Sequence, residues 1–314
     1  MKKDYWNLKP HTKIKLEIYR EYLYSCLSIF KNQRLKHQDR DDWCKNVYIV
    51  DCFAGQGVYS DEGSVVDGSP LIAVKLAKEF QEKFKEKSHK DFSIQCFFIE
   101  ENKKNFNNLK LNLKPYENQV SFHLIYGDFN EKIADILKII GSWPTLFLID
   151  PCGIKQLKKD SVQMIINKKG VKDIFLNYIN EGVVRVKGVA KKCLYCKNYL
   201  TEKAIKTSKN LEEFIGEENK KLVDKKDFDI LKYYVETVLK NNQSNPEEKL
   251  EVVAYDMPYP NRRDVIYYIL FVSRNTNAIR IVRDIYAKYK EEVKKQLSFF
   301  GKEKQKKISK GFNI

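Results

Sequence analysis

The 314 residues are 43% hydrophobic and carry 58 Lys and Arg against 42 Asp and Glu, a net charge of +16. That apolar share excludes a disordered chain, and the length suits one large domain or one domain carrying a sizeable insertion. No apolar run is long enough to cross a bilayer, and the start MKKDYWNLKPHTK has no apolar stretch after its lysines. With seven scattered cysteines, the expectation is a cytoplasmic protein with reduced thiols and no membrane partner.

Residues 12–30 (TKIKLEIYREYLYSCLSIF) space Leu16, Tyr19, Leu23, Cys26 and Phe30 three or four apart. That spacing predicts a helix with one apolar face and Thr12 as its N-cap. A polar connection follows to residue 46. Strand-like runs then come at 47–53, 93–100, 120–128, 145–151 and 172–179. They are nearly continuously apolar, as parallel strands covered on both faces must be. Helical patterns fill the gaps at 70–87, 101–113, 129–140 and about 159–168. The alternation predicts an α/β, doubly wound, Rossmann-like sheet with right-handed crossovers.

Residues 180–248 break this rhythm. They are polar and lysine-rich, with helical patches at 211–217 and 228–240, and read as a basic, mostly helical insertion. Two further strands, 249–257 and 264–274, are joined by the short PYPNRR segment and are therefore antiparallel neighbours. A helix from about Asn277 to Leu297 precedes a basic tail. The expected division is a helical lead at 1–46, a core at 47–179 plus 249–298, the insertion at 180–248 and the tail at 299–314. Five parallel strands ending in an antiparallel hairpin give the seven-stranded class I methyltransferase-like layout, whereas a plain dinucleotide-binding domain continues with a sixth parallel strand.

The first strand ends in DCFAGQG (51–57), where Gly55 and Gly57 permit a sharp turn and close approach of a ligand to backbone. The segment is not GxGxxG and lacks a P-loop lysine, which disfavours diphosphate recognition. Glu100 ends the second strand and suits the two hydroxyls of a ribose. Asp128 ends the third, placed to accept from an adenine amino group, although an acid there is equally an N-cap. Together these predict a pocket for S-adenosylmethionine built from Asp51, Phe53, Ala54, Gly55, Gly57, Ser69, Glu100 and Asp128.

YIVDCFAGQGVY, the later Gly68-Ser69-Pro70, FFIE, GDF and LFLIDPCG occur in this order. With HTKIKLEIYREYL at 11–23 and YYILFVSRNTNAIRIVRDI at 267–285, they resemble the three-Cys-motif partner (TcmP) family. A more distant resemblance is to the 23S rRNA adenine-N6 methyltransferases. The first resemblance implies a methyltransferase-like fold, S-adenosylmethionine and a radical-SAM-type partner protein bearing three cysteines.

The fourth strand ends in Asp150-Pro151-Cys152-Gly153. In nucleic-acid amino-methyltransferases, an acid and the next carbonyl hold the acceptor NH₂ while an aromatic stacks on the base. Asp150 and Pro151 match the first two parts, but Gly153 offers no stacking surface. Tyr178, Tyr255 and Tyr259 are the candidate replacements, and Asn177 a candidate amide for the substrate edge. Packing at the sheet's edge is the plainer role for each. Cys152 also raises covalent catalysis by a thiolate, without any marked base beside it. Cys193 and Cys196 supply only two metal ligands and read as ordinary thiols, so no metal is expected. His11 and Lys13 open the first helix, either as an exposed start or as a cover for the cofactor.

The net charge favours nucleic acid, yet only nine of the 58 basic residues are arginine, a bias that an A/T-rich genome also produces. Clustering is more telling. Residues 183–209 hold eight basic side chains against Glu202, and Lys288–Ile314 holds nine lysines against three glutamates. RNA or DNA contact through insertion and tail is thus one expectation, and a solvated face the other. The sequence supports a methyltransferase acting on a nucleic-acid base, with a non-catalytic scaffold for the radical-SAM-type partner as the alternative.

Overall fold

The computed structural model describes residues 5–37, 39–40, 44–196, 199–258, 265–299 and 312–313, with backbone alone at 291–299 and 312–313. The first helix, α1, is longer than its apolar spacing indicates, running Pro10–Lys36. Pro10 sits in its first turn, where a missing N–H costs nothing. Thr12 is therefore inside the helix and is not its cap, a correction to the sequence reading.

Strand β1 (Asn46–Asp51) follows, then β2 (Val58–Asp61) and β3 (Ser64–Asp67), a small hairpin that the apolar pattern does not reveal. Its strands are four residues each and turn through Glu62 and Gly63, both at positive φ. Helix α2 (Ser69–Lys85), β4 (Ser93–Glu100), α3 (Lys103–Leu113), β5 (Ser121–Tyr126) and α4 (Phe129–Ile140) continue the alternation. Then come β6 (Thr145–Ile149), α5 (Lys159–Ile166) and β7 (Lys172–Tyr178). The insertion is helical as expected: α6 (Asn180–Tyr195), α7 (Glu202–Ile215), α8 (Asn219–Leu222) and α9 (Asp227–Tyr234). The chain closes with β8 (Glu251–Pro258), β9 (Val265–Ser273) and α10 (Thr276–Phe299), and Phe312–Asn313 pairs along the edge of β8.

The main sheet has the order β5-β4-β1-β6-β7-β9-β8, with the two-residue Phe312–Asn313 strand added outside β8. β1 lies parallel to both β4 and β6, so the winding direction reverses beside it. Ligands in open α/β sheets sit beyond the strand ends at that reversal. β9 is antiparallel to β7 and to β8, which confirms the terminal hairpin and the seven-stranded class I methyltransferase-like fold.

One face of the sheet is covered by α1, α2, α3 and α10, with Tyr22, Leu23, Phe80 and Phe84 in its core. The other is covered by α4, α5 and the insertion, whose Leu211, Phe214 and Tyr234 share a core with Ile149 and Leu176. Two polar clusters tie these layers. Tyr22 and Ser273 each donate to the buried Asp173 carboxylate at 2.6 Å, linking α1 to β7 and β9. Lys172 Nζ donates to Glu248 Oε2 at 2.7 Å, and Arg274 to Glu248 Oε1 at 3.1 Å. Lys172 is 1% exposed and the Glu248 side chain 7%. Removing one charge strands the other, so Glu248→Ala is expected to cost about 3–5 kcal/mol in denaturant unfolding.

The insertion's basic surplus is partly neutralised in three dimensions. Lys191 pairs with Asp224 at 2.7 Å and Lys187 with Asp227, acids that follow 15 or more residues after the basic cluster ends.

Candidate functional site

The loop after β1 is shaped by backbone contacts that only glycine permits. Gly55 and Gly57 adopt φ of 62° and 82°. The Gly68 amide donates to the Gly57 carbonyl at 2.7 Å, and a Cβ on Gly68 would stand 2.8 Å from that same oxygen. Gly68→Ala should therefore push the loop open and lower stability by about 1–3 kcal/mol, read as a fall in Tm.

This loop forms one wall of a cleft of about 240 Å³ at the carboxyl ends of β1, β4, β5 and β6. Phe53, Ala54, Gly55, Gly57, Ser69, Glu100, Asp128, Asp150 and Cys152 all line it. Glu100 Oε2 accepts from the Gly55 amide at 2.9 Å and Oε1 from the Asn102 amide at 2.7 Å. It thus clamps the glycine loop to the end of β4 and keeps lone pairs for further donors. Burial raises its pKa, against which hydrogen bonds from the Asn102 amide, Asn105 and the Gly55 amide pull down.

Asp51 ends β1, fully buried, and does not itself line the cleft. Its Oδ1 accepts from the Phe53 amide at 3.2 Å, whereas Oδ2 has no hydrogen-bond partner among the described residues. Burial lifts its carboxyl from 3.8 to about 7, opposed by hydrogen bonds from Ser69 and Phe53 and reinforced by Asp150 and Glu100. A buried acceptor without a donor favours an incoming cation.

Asp128 serves as the N-cap of α4, accepting from the Asn130 amide at 2.6 Å, and also lines the cleft. Sequence reasoning missed the network behind it. Asn130 Nδ2 donates to Asp128 and to the Gln156 carbonyl, Gln156 Oε1 accepts from the Cys152 amide at 2.7 Å, and Gln156 Nε2 donates to Glu101 at 2.6 Å. These contacts lock the loop after β6 to the ends of β4 and β5.

Asp150 is held from two sides: Asn177 Nδ2 donates to Oδ1 at 2.8 Å and Lys15 Nζ to Oδ2 at 2.5 Å. Asn177 Oδ1 is buried and unpartnered among the described residues. Lys15, which sequence pattern did not single out, also lies 5.4 Å from the Tyr267 ring centroid. Pro151 is buried, and a Cβ on Gly153 would meet nothing within 4 Å. The Cys152 thiol is pushed up by desolvation and by Asp150, with Lys15 opposing, which disfavours a thiolate nucleophile at neutral pH.

Two aromatic candidates point elsewhere. Tyr178 is fully buried against Phe214 and Tyr234, and Tyr255 is buried and stacked on Tyr286, because their strand positions face the two cores. Tyr259 lies outside the described residues. Neither His11 nor Lys13 lines the cleft. His11 packs edge-on to Tyr267, and Lys13 pairs with Asp61 at 3.5 Å. No group of three or more metal-ligating side chains occurs among the described residues, Cys193 and Cys196 included.

No family model matches the chain, and no curated protein matches it. Among solved structures it is similar to a Legionella pneumophila protein of the DUF519 family, at 9% identity and TM-score 0.41, covering 86% of this chain and 91% of that one. It is also similar to a Streptococcus thermophilus rRNA methylase, at 7% identity and TM-score 0.33, covering 79% and 93%. A Bacillus cereus O-methyltransferase in complex with SAH matches at 11% and 0.34, covering 85% and 82%. At these values the likeness carries no argument about what this chain binds or acts on.

Proposed function

We propose that this protein is an S-adenosylmethionine-dependent methyltransferase acting on an amino group of a nucleic-acid base. One observation carries the reading: Asp150 stands in the same cleft as the glycine loop, Glu100 and Asp128. When bound, the cofactor supplies an already activated methyl sulfonium. Asp51, at the end of β1, would accept from its ammonium, Glu100 would hold ribose hydroxyls, and Asp128 would accept from the adenine. Asp150 and the Pro151 carbonyl accept from the acceptor NH₂ and orient its lone pair, so catalysis is largely positioning. Asn177 and Lys15 hold the Asp150 carboxylate for that task.

Titration calorimetry with S-adenosylmethionine and S-adenosylhomocysteine tests the cofactor, and label transfer from methyl-tritiated cofactor to total RNA and DNA tests the reaction. A folded protein that gives no heat with either compound sinks the reading.

A second reading keeps the TcmP resemblance without catalysis: a scaffold for a radical-SAM-type protein with three cysteines. It draws on the engagement of both Asp150 oxygens by Lys15 and Asn177. Co-purification with that partner, retained in Asp150→Ala and unaccompanied by methyl transfer in wild type, would favour it.

A further inference from the structure

The loop that ends in Gly153 has open space where related loops carry a stacking ring, yet the cleft is not without aromatics. Four line it: Phe53 and Phe129 pack against each other with centroids 5.2 Å apart, whereas Trp6 and Tyr59 come from elements that the sequence pattern left unassigned. Tyr59 lies on β2, the outer hairpin following the glycine loop. Trp6 lies in the extended segment before α1.

That segment is fastened to β2 as an added strand. The Ser60 amide donates to the Trp6 carbonyl at 2.9 Å, and the Leu8 amide to the Ser60 carbonyl at 2.7 Å. The bridge is parallel, Asn7 against Ser60, and the Tyr5 hydroxyl donates to Asn112 on α3 at 3.2 Å. Fastening at both ends fixes where the indole sits. Its ring lies over Gly55, with Cζ3 3.1 Å from the point a Cβ there would occupy, and its centroid is 6.4 Å from that of Tyr59. Despite this anchoring, Trp6 remains 43% exposed. A large apolar ring held rigidly at a cleft mouth and left open on one side has a surface to offer a planar ligand.

Two planar ligands are conceivable, the cofactor adenine and the acceptor base. Adenine is expected beside Asp128 and Glu100, at the ends of β5 and β4. Trp6 and Tyr59 instead line the cleft together with Asp150, and the Trp6 segment runs directly into α1, whose Lys15 donates to Asp150 at 2.5 Å. The aromatic pair therefore borders the acceptor half of the cleft.

We propose that Trp6 and Tyr59 form the stacking wall for the acceptor base, replacing the ring that the Asp-Pro-Cys-Gly loop lacks. This rests on the methyltransferase reading above and adds the residues that select a flat, unstacked base.

The test uses fluorescein-labelled single-stranded RNA and DNA 15-mers of mixed sequence, added to the full-length chain. Binding is followed by anisotropy, and unlabelled 15-mers are used for tryptophan fluorescence. Stacking contributes about 1–3 kcal/mol per base, so Trp6→Ala should weaken binding roughly 5- to 150-fold. Trp6→Phe should recover most of that loss, and S-adenosylhomocysteine affinity by calorimetry should stay within about twofold. Oligonucleotide should quench wild-type emission more than that of Trp6→Phe, because the difference belongs to Trp6. If wild type binds and methylates the 15-mers but Trp6→Ala does so equally well, the wall is wrong and the methyltransferase reading stands. Loss of S-adenosylhomocysteine affinity in Trp6→Ala, with oligonucleotide binding intact, overturns the acceptor assignment in favour of a cofactor cover. A wild type that binds the cofactor but neither binds nor methylates any 15-mer removes the nucleic-acid reading together with the wall.

Discussion

Asp150→Ala is expected to reduce methyl transfer about 10²- to 10³-fold while leaving S-adenosylhomocysteine affinity nearly unchanged. A prearranged acceptor at the reacting group is the type of contact whose removal costs that much. Single-turnover transfer to RNA and calorimetry on the same preparations separate the two effects. The substitution carries a structural cost as well. Lys15 and Asp150 are 15% and 23% exposed, so removing the carboxylate leaves an ammonium largely shielded from water. A loss of about 3 kcal/mol is expected in denaturant unfolding. Lys15→Met combined with Asp150→Asn should be less destabilised than the sum of the single variants, because no charge is left stranded. If the double variant regains stability but not transfer, the chemistry belongs to the carboxylate and not to the packing around it. A scaffold predicts the same stability cycle with no transfer at any point.

The second large effect is on pH dependence. Asp51 has a carboxyl at about 7 in the fold against 3.8 ordinarily. Below pH 3.8 it is protonated in both folded and unfolded chains. Between 3.8 and 7 the folded chain keeps a proton that the unfolded chain has released, so stability falls as pH rises through this window and stays lowered above it. About three units correspond to something on the order of 4 kcal/mol. Asp51→Asn keeps an acceptor for the Phe53 amide and removes the titration. Thermal unfolding of the two proteins from pH 4 to 8 should diverge, with the variant gaining relative to wild type as pH rises. Cofactor binding should run the opposite way. An ammonium at Oδ2 requires the ionised acid, so wild-type affinity for S-adenosylhomocysteine should climb up to tenfold per unit below pH 7 and level off above it. The variant should bind more weakly and with a flat profile. A flat wild-type profile would place the cation elsewhere.

Much of this was readable from residue order alone. Continuously apolar runs alternating with helical spacing gave the doubly wound sheet, because strands covered on both faces have no polar side to display. The terminal hairpin was legible from two β-rich runs joined too briefly for a crossover. Asp51, Glu100, Asp128 and Asp150 were legible as a group because each ends a strand, and parallel strands deliver their carboxyl ends to one edge. The hairpin β2–β3 was not legible: four-residue strands on the outside of the fold are too short to show a period. The tyrosines offered as stacking rings were misplaced for a related reason. Tyr178 and Tyr255 sit on strands buried on both faces, where alternation no longer says which side looks at the site.

By itself, then, the sequence determined the layered architecture, the glycine loop and the row of strand-end acids, since each follows from local spacing and backbone sterics. Only the tertiary structure decided what surrounds those acids. Lys15 reaches Asp150 across 135 positions, Trp6 reaches Gly55 across an entire helix and strand, and the insertion's lysines find Asp224 and Asp227. Such pairings arise because packing the apolar faces of helices and sheet against each other also brings together charged and aromatic groups far apart in the chain. No periodicity along the chain records that convergence.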